Sequence, residues 1–358
     1  MERKNKYIIQ SSAGIGDIIQ ILSMARSIKE KEPDSRVDLL MGGDKKRFEI
    51  NNQIINLQSY IDNIYRYHSK EFFVNVKTLL SLMMNQYHYG FVFLGAGSDS
   101  IGKSLWPYYI MKLAWCKKII ASNYDKADIN ADIPPNIHYL KRNAIMLSKI
   151  QVKGRNNAES IDMNKIEDNS IKRFKLSNCK QRVVISLGTN PVIWRDKHKH
   201  FTYDVKSWSY SNWINLANKL ADRNIEVVLL GGIKEKRGLE SESVYSDMNK
   251  SIVNMAGQTS IMQSFAVLKK SDLVVGAEGG MMHCASAIGK RTLTLFAGSD
   301  ERRWNPGGEN GDTINLHLPC SPCLHTERGA YCHNHKCLNG ILPDMVYTKI
   351  LDILEYKK

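Results

Sequence analysis

The stretch DLVVGAEGGMMHCASAIGKRTLTLFAGSDERRW, residues 272–304, decides how this chain folds. An apolar run, Leu273 to Val275, stops at Gly276. A carboxylate, Glu278, then stands beside two glycines, Gly279 and Gly280, with His283 just beyond. A small-residue segment, His283 to Ile288, has the makings of a short helix, and a second apolar run, Thr292 to Phe296, follows it. Short apolar runs, here of three and five residues, joined by a glycine turn and a helix read as strand–helix–strand in a buried parallel sheet.

The same alternation runs outward from this unit. Toward the N-terminus, Val183–Leu187 and Glu226–Leu230 read as strands. Asn212–Arg223 and Ser260–Lys269 read as helices, the first with Trp213, Leu216, Ala217 and Leu220 on one face. The first third repeats the pattern. Tyr7–Gln10 is a strand, and Asp17–Lys29 a helix with Ile18, Ile21, Leu22, Ala25 and Ile28 on one face. Val37–Met41 and Phe91–Leu94 are strands, Phe72–Met84 and Ser104–Cys116 helices, and Ile119–Ala121 a further strand. Residues 151–180 are polar and lack apolar periodicity, so the domain junction is placed there. The fold class is α/β with two Rossmann-like domains, 1–165 and 180–342, and a C-terminal helix, 343–358, expected to pack back on the first domain.

With 358 residues the chain exceeds one ordinary core. No apolar run reaches the ~18 residues that span a bilayer, and the basic start MERKNKYIIQSS lacks a signal core, which points to a cytoplasmic chain. The formal charge of +14 favours an anionic partner, or reflects compositional bias, since the lysines are scattered. The helix around SLWPYYIMKLAWC, residues 104–116, reads as core, with an interfacial patch at an anionic membrane as the alternative.

In open parallel sheets ligands bind beyond the carboxyl ends of the strands, where Gly14, Gly16, Gly95, Gly97, Gly188, Gly231, Gly232, Gly279, Gly280 and Gly298 fall. Gly279 and Gly280 begin a helix, and exposed amides there attract phosphate oxygens. Glu278 would repel phosphate and is better suited to sugar or ribose hydroxyls. His283 is a donor to phosphate, or a core imidazole. Asp17 is a general base facing an acceptor hydroxyl, or an N-cap. Arg195 and Lys197, in WRDKHKH, are cations for a departing diphosphate, or a solvated loop. No carboxylate pair with metal-binding spacing accompanies these residues, so no catalytic metal is expected.

Cys320, Cys323, Cys332 and Cys337 crowd into eighteen of the 358 residues. Four thiols at C-x2-C-x8-C-x4-C suit a tetrahedral structural site for Zn or Fe, and His325, His333 and His335 lie among them as substitutes. Four reduced thiols without metal are the alternative.

The stretches GIGDIIQILSMARSIKEKEPDSRVDLLM, VVISLGT…WRDKHKHF…WSYSNWINLANKLADRNIEVVLLGG, DLVVGAEGGMMHCASAIGKRTLTLFAGSDERRWNPGG and CSPCL…C…CLNGILPDMV resemble glycosyltransferase family 9, which includes the heptosyltransferases of lipopolysaccharide core. The resemblance implies a GT-B architecture, two Rossmann-like domains facing a central cleft, acceptor side first. It implies metal-independent inverting transfer of a sugar, heptose above all, from a nucleotide diphosphate such as ADP to a bacterial glycan or a protein. Asp17 matches the family's base after the glycine loop that holds Gly16, and Lys197 its donor-loop cation. Thr189 and Arg195 fall in its donor motif, and Glu235 where an acid contacts the nucleoside. Gly279, Gly280 and His283 match its diphosphate turn. Where the family has Asp-Thr-Gly, this chain has Glu278-Gly279-Gly280. Two other functions compete: a sugar-nucleotide epimerase of the same fold, and a basic nucleic-acid-binding protein with a metal ribbon. The second is disfavoured because Arg328, Lys336 and Tyr331 alone accompany the cysteines. The expected partners are therefore the nucleotide sugar, its acceptor and an anionic membrane at the inner face, and no nucleic acid.

Overall fold

The computed structural model describes residues 4–355 apart from 13, 69, 94–104, 175, 178–180, 190–191, 196–199 and 309–310. Gly95 and Gly97 lie outside these. The chain divides into two compact units, Met1–Asp162 and Met163–Lys358. The boundary lies within residues 151–180.

The first unit runs β1 (Lys6–Ser11), α1 (Ile15–Lys31), β2 (Arg36–Gly42), α2 (Lys45–Ile55), β3 (Asn63–Tyr67), α3 (Phe72–Met83), β4 (Tyr89–Val92), α4 (Trp106–Leu113), β5 (Lys118–Ser122), β6 (Ile129–Ala131) and α5 (Tyr139–Ser148). Its six strands are all parallel, in the order β3-β2-β1-β4-β5-β6. Tyr7, Ile8 and Ile9 of β1 are buried, as a strand covered on both faces requires. The face of α1 built from Ile18, Ile21, Leu22, Ala25 and Ile28 is buried.

The second unit runs β7 (Arg182–Ser186), β8 (Val192–Arg195), β9 (His200–Tyr203), α6 (Tyr210–Ala221), β10 (Glu226–Leu230), α7 (Ile233–Glu240), β11 (Val253–Asn254), α8 (Ile261–Lys269), β12 (Leu273–Ala277), α9 (Gly280–Ala287), β13 (Thr292–Leu295), α10 (Glu301–Trp304), β14 (Gly311–Ile314), α11 (Glu327–Ala330), α12 (Lys336–Asn339) and α13 (Pro343–Glu355). Its main sheet is again parallel, in the order β11-β10-β7-β12-β13-β14, while β8 and β9 form a small antiparallel hairpin. Both sheets thus repeat one pattern: the first strand is central, two strands build outward on one side, and the next three build on the other. The order reverses between β1 and β4, and between β7 and β12. Crevices open at such reversals, beyond the carboxyl ends of the strands.

Two expectations are corrected. The C-terminal helix does not belong with the first domain. Val346, Ile350, Ile353 and Leu354 of α13 are buried in the second unit's core with Trp213, Leu216 and Leu220 of α6. The indole N–H of Trp208 donates to the carbonyl of Ile341 at 2.9 Å, fixing the approach to α13. Second, α4 is only half core: Tyr108, Ile110 and Met111 are buried, but Trp106, Tyr109 and Leu113 are exposed, as is Trp115 beyond it. Among the described residues no helix is long and apolar enough to cross a membrane.

Truncating Ile350, which is fully buried in α13, to Ala is expected to destabilise the second unit by about 2–4 kcal/mol. Urea unfolding followed by tryptophan fluorescence measures it; a loss under about 1 kcal/mol would mean that the helix is not integral to that core.

Candidate functional site

In the first unit the crevice beside β1 is occupied by the start of α1. Gly14 is the N-cap, with extended backbone and no side-chain cap. Gly16 is the second helical residue and Asp17 the third, so Asp17 is not the N-cap that its position in the sequence allowed. Its half-buried carboxylate folds back over the loop and accepts a hydrogen bond from the Ser12 hydroxyl. A Cβ at residue 14 would lie 2.5 Å from Asp17 Oδ2, so the glycine makes room for the carboxylate to lie there. The result is an acid held against the carboxyl end of the first strand by its own helix start.

In the second unit the crevice between β7 and β12 gathers more residues. After β7 the chain passes through Gly188 to Thr189. The Thr189 hydroxyl donates to the carbonyl of Glu278 at 2.9 Å, tying the turn after β7 to the turn after β12. Glu235, third in α7, accepts from the Gly232 amide at 2.8 Å and caps that helix. Its side chain crosses Gly188, where a Cβ would come within 2.7 Å of the carboxylate. The acid is thereby fixed over a glycine shelf at the ends of β7 and β10.

Beyond β12, Gly279 caps α9 with a φ of 179°, extended backbone open to any residue. A Cβ there would meet Thr189 at an ordinary 3.5 Å. Neither conformation nor protein packing demands glycine at this position, which leaves a bare helix start of the kind that anions approach. Gly280 is the first residue of α9, and His283, one turn in, is 2% exposed, the burial of a core imidazole.

Glu278 is not a lone acid. Its carboxylate pairs with Lys206 Nζ at 3.2 Å, both side chains mostly buried. Lys206 is held by its neighbours: the Asp204 carboxylate accepts from the amides of Lys206 and Ser207, each at 2.9 Å, and buried Trp208 anchors the far side. Burial works against the charge on Asp204, but the Ser207 hydroxyl and these amides outweigh it and hold the carboxyl below the usual range. Burial lowers the His325 imidazole, and the nearby cations Lys206 and Arg303 lower it further while Glu278 opposes them. These four side chains therefore share one electrostatic neighbourhood. The cysteine-rich segment is built into it: the His325 amide donates to the Tyr203 hydroxyl at 2.9 Å, and those of Cys323 and Leu324 donate to the carbonyl of Gly298 at 2.8 and 2.7 Å.

The sequence marked neither Lys206 nor Arg303, and offered His325 only as a substitute ligand among the cysteines. The cations it chose instead are less informative: Arg195 ends β8 opposite His200, and Lys197 lies outside the described residues. The four clustered cysteines are free thiols. Burial, and then Cys337, Cys332 and Cys320 nearby, push the Cys323 thiol up to about 11; burial and Cys320 raise Cys337. They influence one another, yet among the described residues no three His, Cys, Asp or Glu side chains are placed to hold a metal ion.

Replacing Lys206 by Met strips the mostly buried Glu278 of its paired cation, and is expected to destabilise the second unit by roughly 3 kcal/mol. Adding Glu278→Gln should restore much of the loss. Equal urea midpoints for wild type and Lys206→Met would show that the pair is solvated.

Residues 156–332 match the family model Glycosyltransferase family 9 (heptosyltransferase). Lipooligosaccharide heptosyltransferase 2 of Campylobacter jejuni is 22% identical over 176 residues, 46% of this chain and 54% of that protein. The chain thus spans about half the length of the curated relatives it matches. The structure of E. coli ADP-heptose LPS heptosyltransferase II superposes over 99% of both chains with a TM-score of 0.71 at 16% identity. The iron-containing dodecameric glycosyltransferase TibC of enterotoxigenic E. coli H10407 superposes over 100% of this chain and 78% of its own, with a TM-score of 0.52 at 10% identity. The fold is GT-B, and residues 156–332, just under half of the chain, match glycosyltransferase family 9.

Proposed function

We propose that this chain is an inverting glycosyltransferase that moves heptose from an ADP-activated donor to a bacterial glycan of the lipopolysaccharide-core type. The observation that carries the reading is the crevice at β7 and β12. It combines a bare helix start, a fixed lysine and two restrained carboxylates, the inventory a nucleotide diphosphate sugar calls for. The family match and the likeness to an ADP-heptose enzyme support it.

In this reading Asp17 takes the proton from the acceptor hydroxyl as that oxygen attacks the anomeric carbon. The bond from the anomeric carbon to the diphosphate oxygen breaks on the opposite face, so configuration inverts and ADP leaves with the bonding pair. Charge grows on the departing diphosphate, and the α9 amides and Lys206 are the donors for it. Glu278 accepts from sugar hydroxyls while Lys206 screens it from the phosphates. Glu235, with Thr189 close by, faces the nucleoside. Arg195 and Lys197 are further cations for the same diphosphate, and His283 supports the turn from within the helix.

The four-cysteine loop is proposed to hold one structural Zn or Fe ion through Cys320, Cys323, Cys332 and Cys337. A set of four soft thiols suits either metal, and a bound cation would favour their thiolate forms. The iron in TibC supports the same reading.

Three measurements test these assignments. Asp17→Asn should cut transfer from ADP-heptose by about 10²–10⁴ while ADP affinity by calorimetry stays unchanged; retained turnover removes Asp17 from the mechanism. Lys206→Ala should weaken ADP binding by roughly 10- to 100-fold, the worth of one hydrogen bond to a charged group. Unaltered affinity places the diphosphate elsewhere. Metal analysis of the purified chain should find about one Zn or Fe per chain, lost in Cys323→Ser; a metal-free wild type refutes the site.

A further inference from the structure

Helices α3 and α4 carry apolar side chains on the wrong side. Their inner faces meet in one core, where Leu82 of α3 lies with Tyr108, Ile110 and Met111 of α4. Their outer faces are apolar too. Phe72, Phe73 and Leu80 of α3 and Met84 just after it are exposed, Phe73 and Met84 at 85%. Trp106, Tyr109 and Leu113 are exposed on α4. A helix apolar all round is ordinarily buried all round, and a contiguous apolar face on a folded unit marks an interaction surface.

Trp115 adds a second, independent sign. It follows the last turn of α4 in the left-handed region, with φ of 55°. The amide of Cys116 donates to Met111 and that of Trp115 to Lys112, each at 3.0 Å, the pairing of a Schellman ending. Glycine normally occupies that position. A tryptophan there is strained, and it gains no burial in return, since its side chain is 66% exposed. The backbone turns the indole outward.

The charge around this face selects its occupant. Among the described residues from 70 to 118 stand the lysines Lys70, Lys77, Lys112, Lys117 and Lys118 against the single acid Glu71. Glu71 is engaged by Arg66 at 2.7 and 2.5 Å, and Lys112 by Asp128 at 2.6 Å. Lys70, Lys77, Lys117 and Lys118 are exposed around the aromatics. In a two-fold contact with a second copy this patch would meet itself, lysine facing lysine. An anionic bilayer receives both features at once: lysines bind its headgroups, and tryptophan, tyrosine and phenylalanine sink to the interface.

We propose that the outer face of α3 and α4, with Trp115 at its end, docks the first unit onto an anionic phospholipid surface. The docking is independent of the reading given above for the donor crevice, and it is measured without turnover. The full chain is floated with vesicles of phosphatidylcholine containing phosphatidylglycerol, and with vesicles of phosphatidylcholine alone. Wild type should rise with the anionic vesicles, remain behind with the neutral ones, and be released by high salt. Phe73→Ser with Trp115→Ser, and separately Lys117→Glu with Lys118→Glu, should each lower the bound fraction by roughly tenfold or more. Thermal midpoints should not move, because all four side chains are exposed. Flotation that is equal on neutral lipid, or undiminished in the variants, overturns the proposal. So does self-association of wild type in sedimentation equilibrium that Phe73→Ser abolishes without any flotation, which assigns the face to a second copy.

Discussion

A parallel strand is entered from the same end as its neighbour, so each strand must be followed by a crossover that carries the chain back. Every carboxyl end then lies along one edge of the sheet, and every loop on that edge leads into a helix start. Once the chain builds outward in both directions from its first strand, two neighbouring loops must diverge, and a gap opens between them. Both sheets here obey that constraint in the same strand order. Asp17 and the Glu278–Gly280 turn owe their places to it, since each follows a central strand bordering such a gap.

Within the second gap, polar groups are held mainly by one another. A mostly buried acid and lysine contribute little net stability as a pair, because each gave up water to be there. Their value is positional. The Lys206–Glu278 pair links the turn after β9 to the turn after β12, and the electrostatic neighbourhood of His325 extends that link to the cysteine segment. Three stretches far apart in sequence are thereby committed to one arrangement.

Much of this was legible in the residues. The buried face of α1 followed from the 3.6-residue spacing of its isoleucines, and β12 and β13 from the short apolar runs on either side of the Gly279–Gly280 turn. The edge strands were harder to see. Asn63–Tyr67 and Gly311–Ile314 are polar or short, and only pairing with a neighbour makes them strands. Helix α13 has an apolar stripe, but a stripe does not say which core receives it; Trp208 and α6 decide that. Lys206 left no local trace. Its position depends on the Asp204 turn on one side and the Trp208 anchor on the other, whereas the charged run at 194–198 looked more like a functional loop. Glu278 was read as an acid waiting for hydroxyls, because spacing cannot reveal a partner seventy-two residues away.

The crossing of Glu235 over Gly188 makes the space at one position depend on the residue at the other. While the acid lies across the shelf, any side chain at 188 collides with it. A lineage that loses the acid frees the glycine to vary, and one that enlarges the glycine must let go of the acid. A substitution at either position is therefore best judged by what stands at the other.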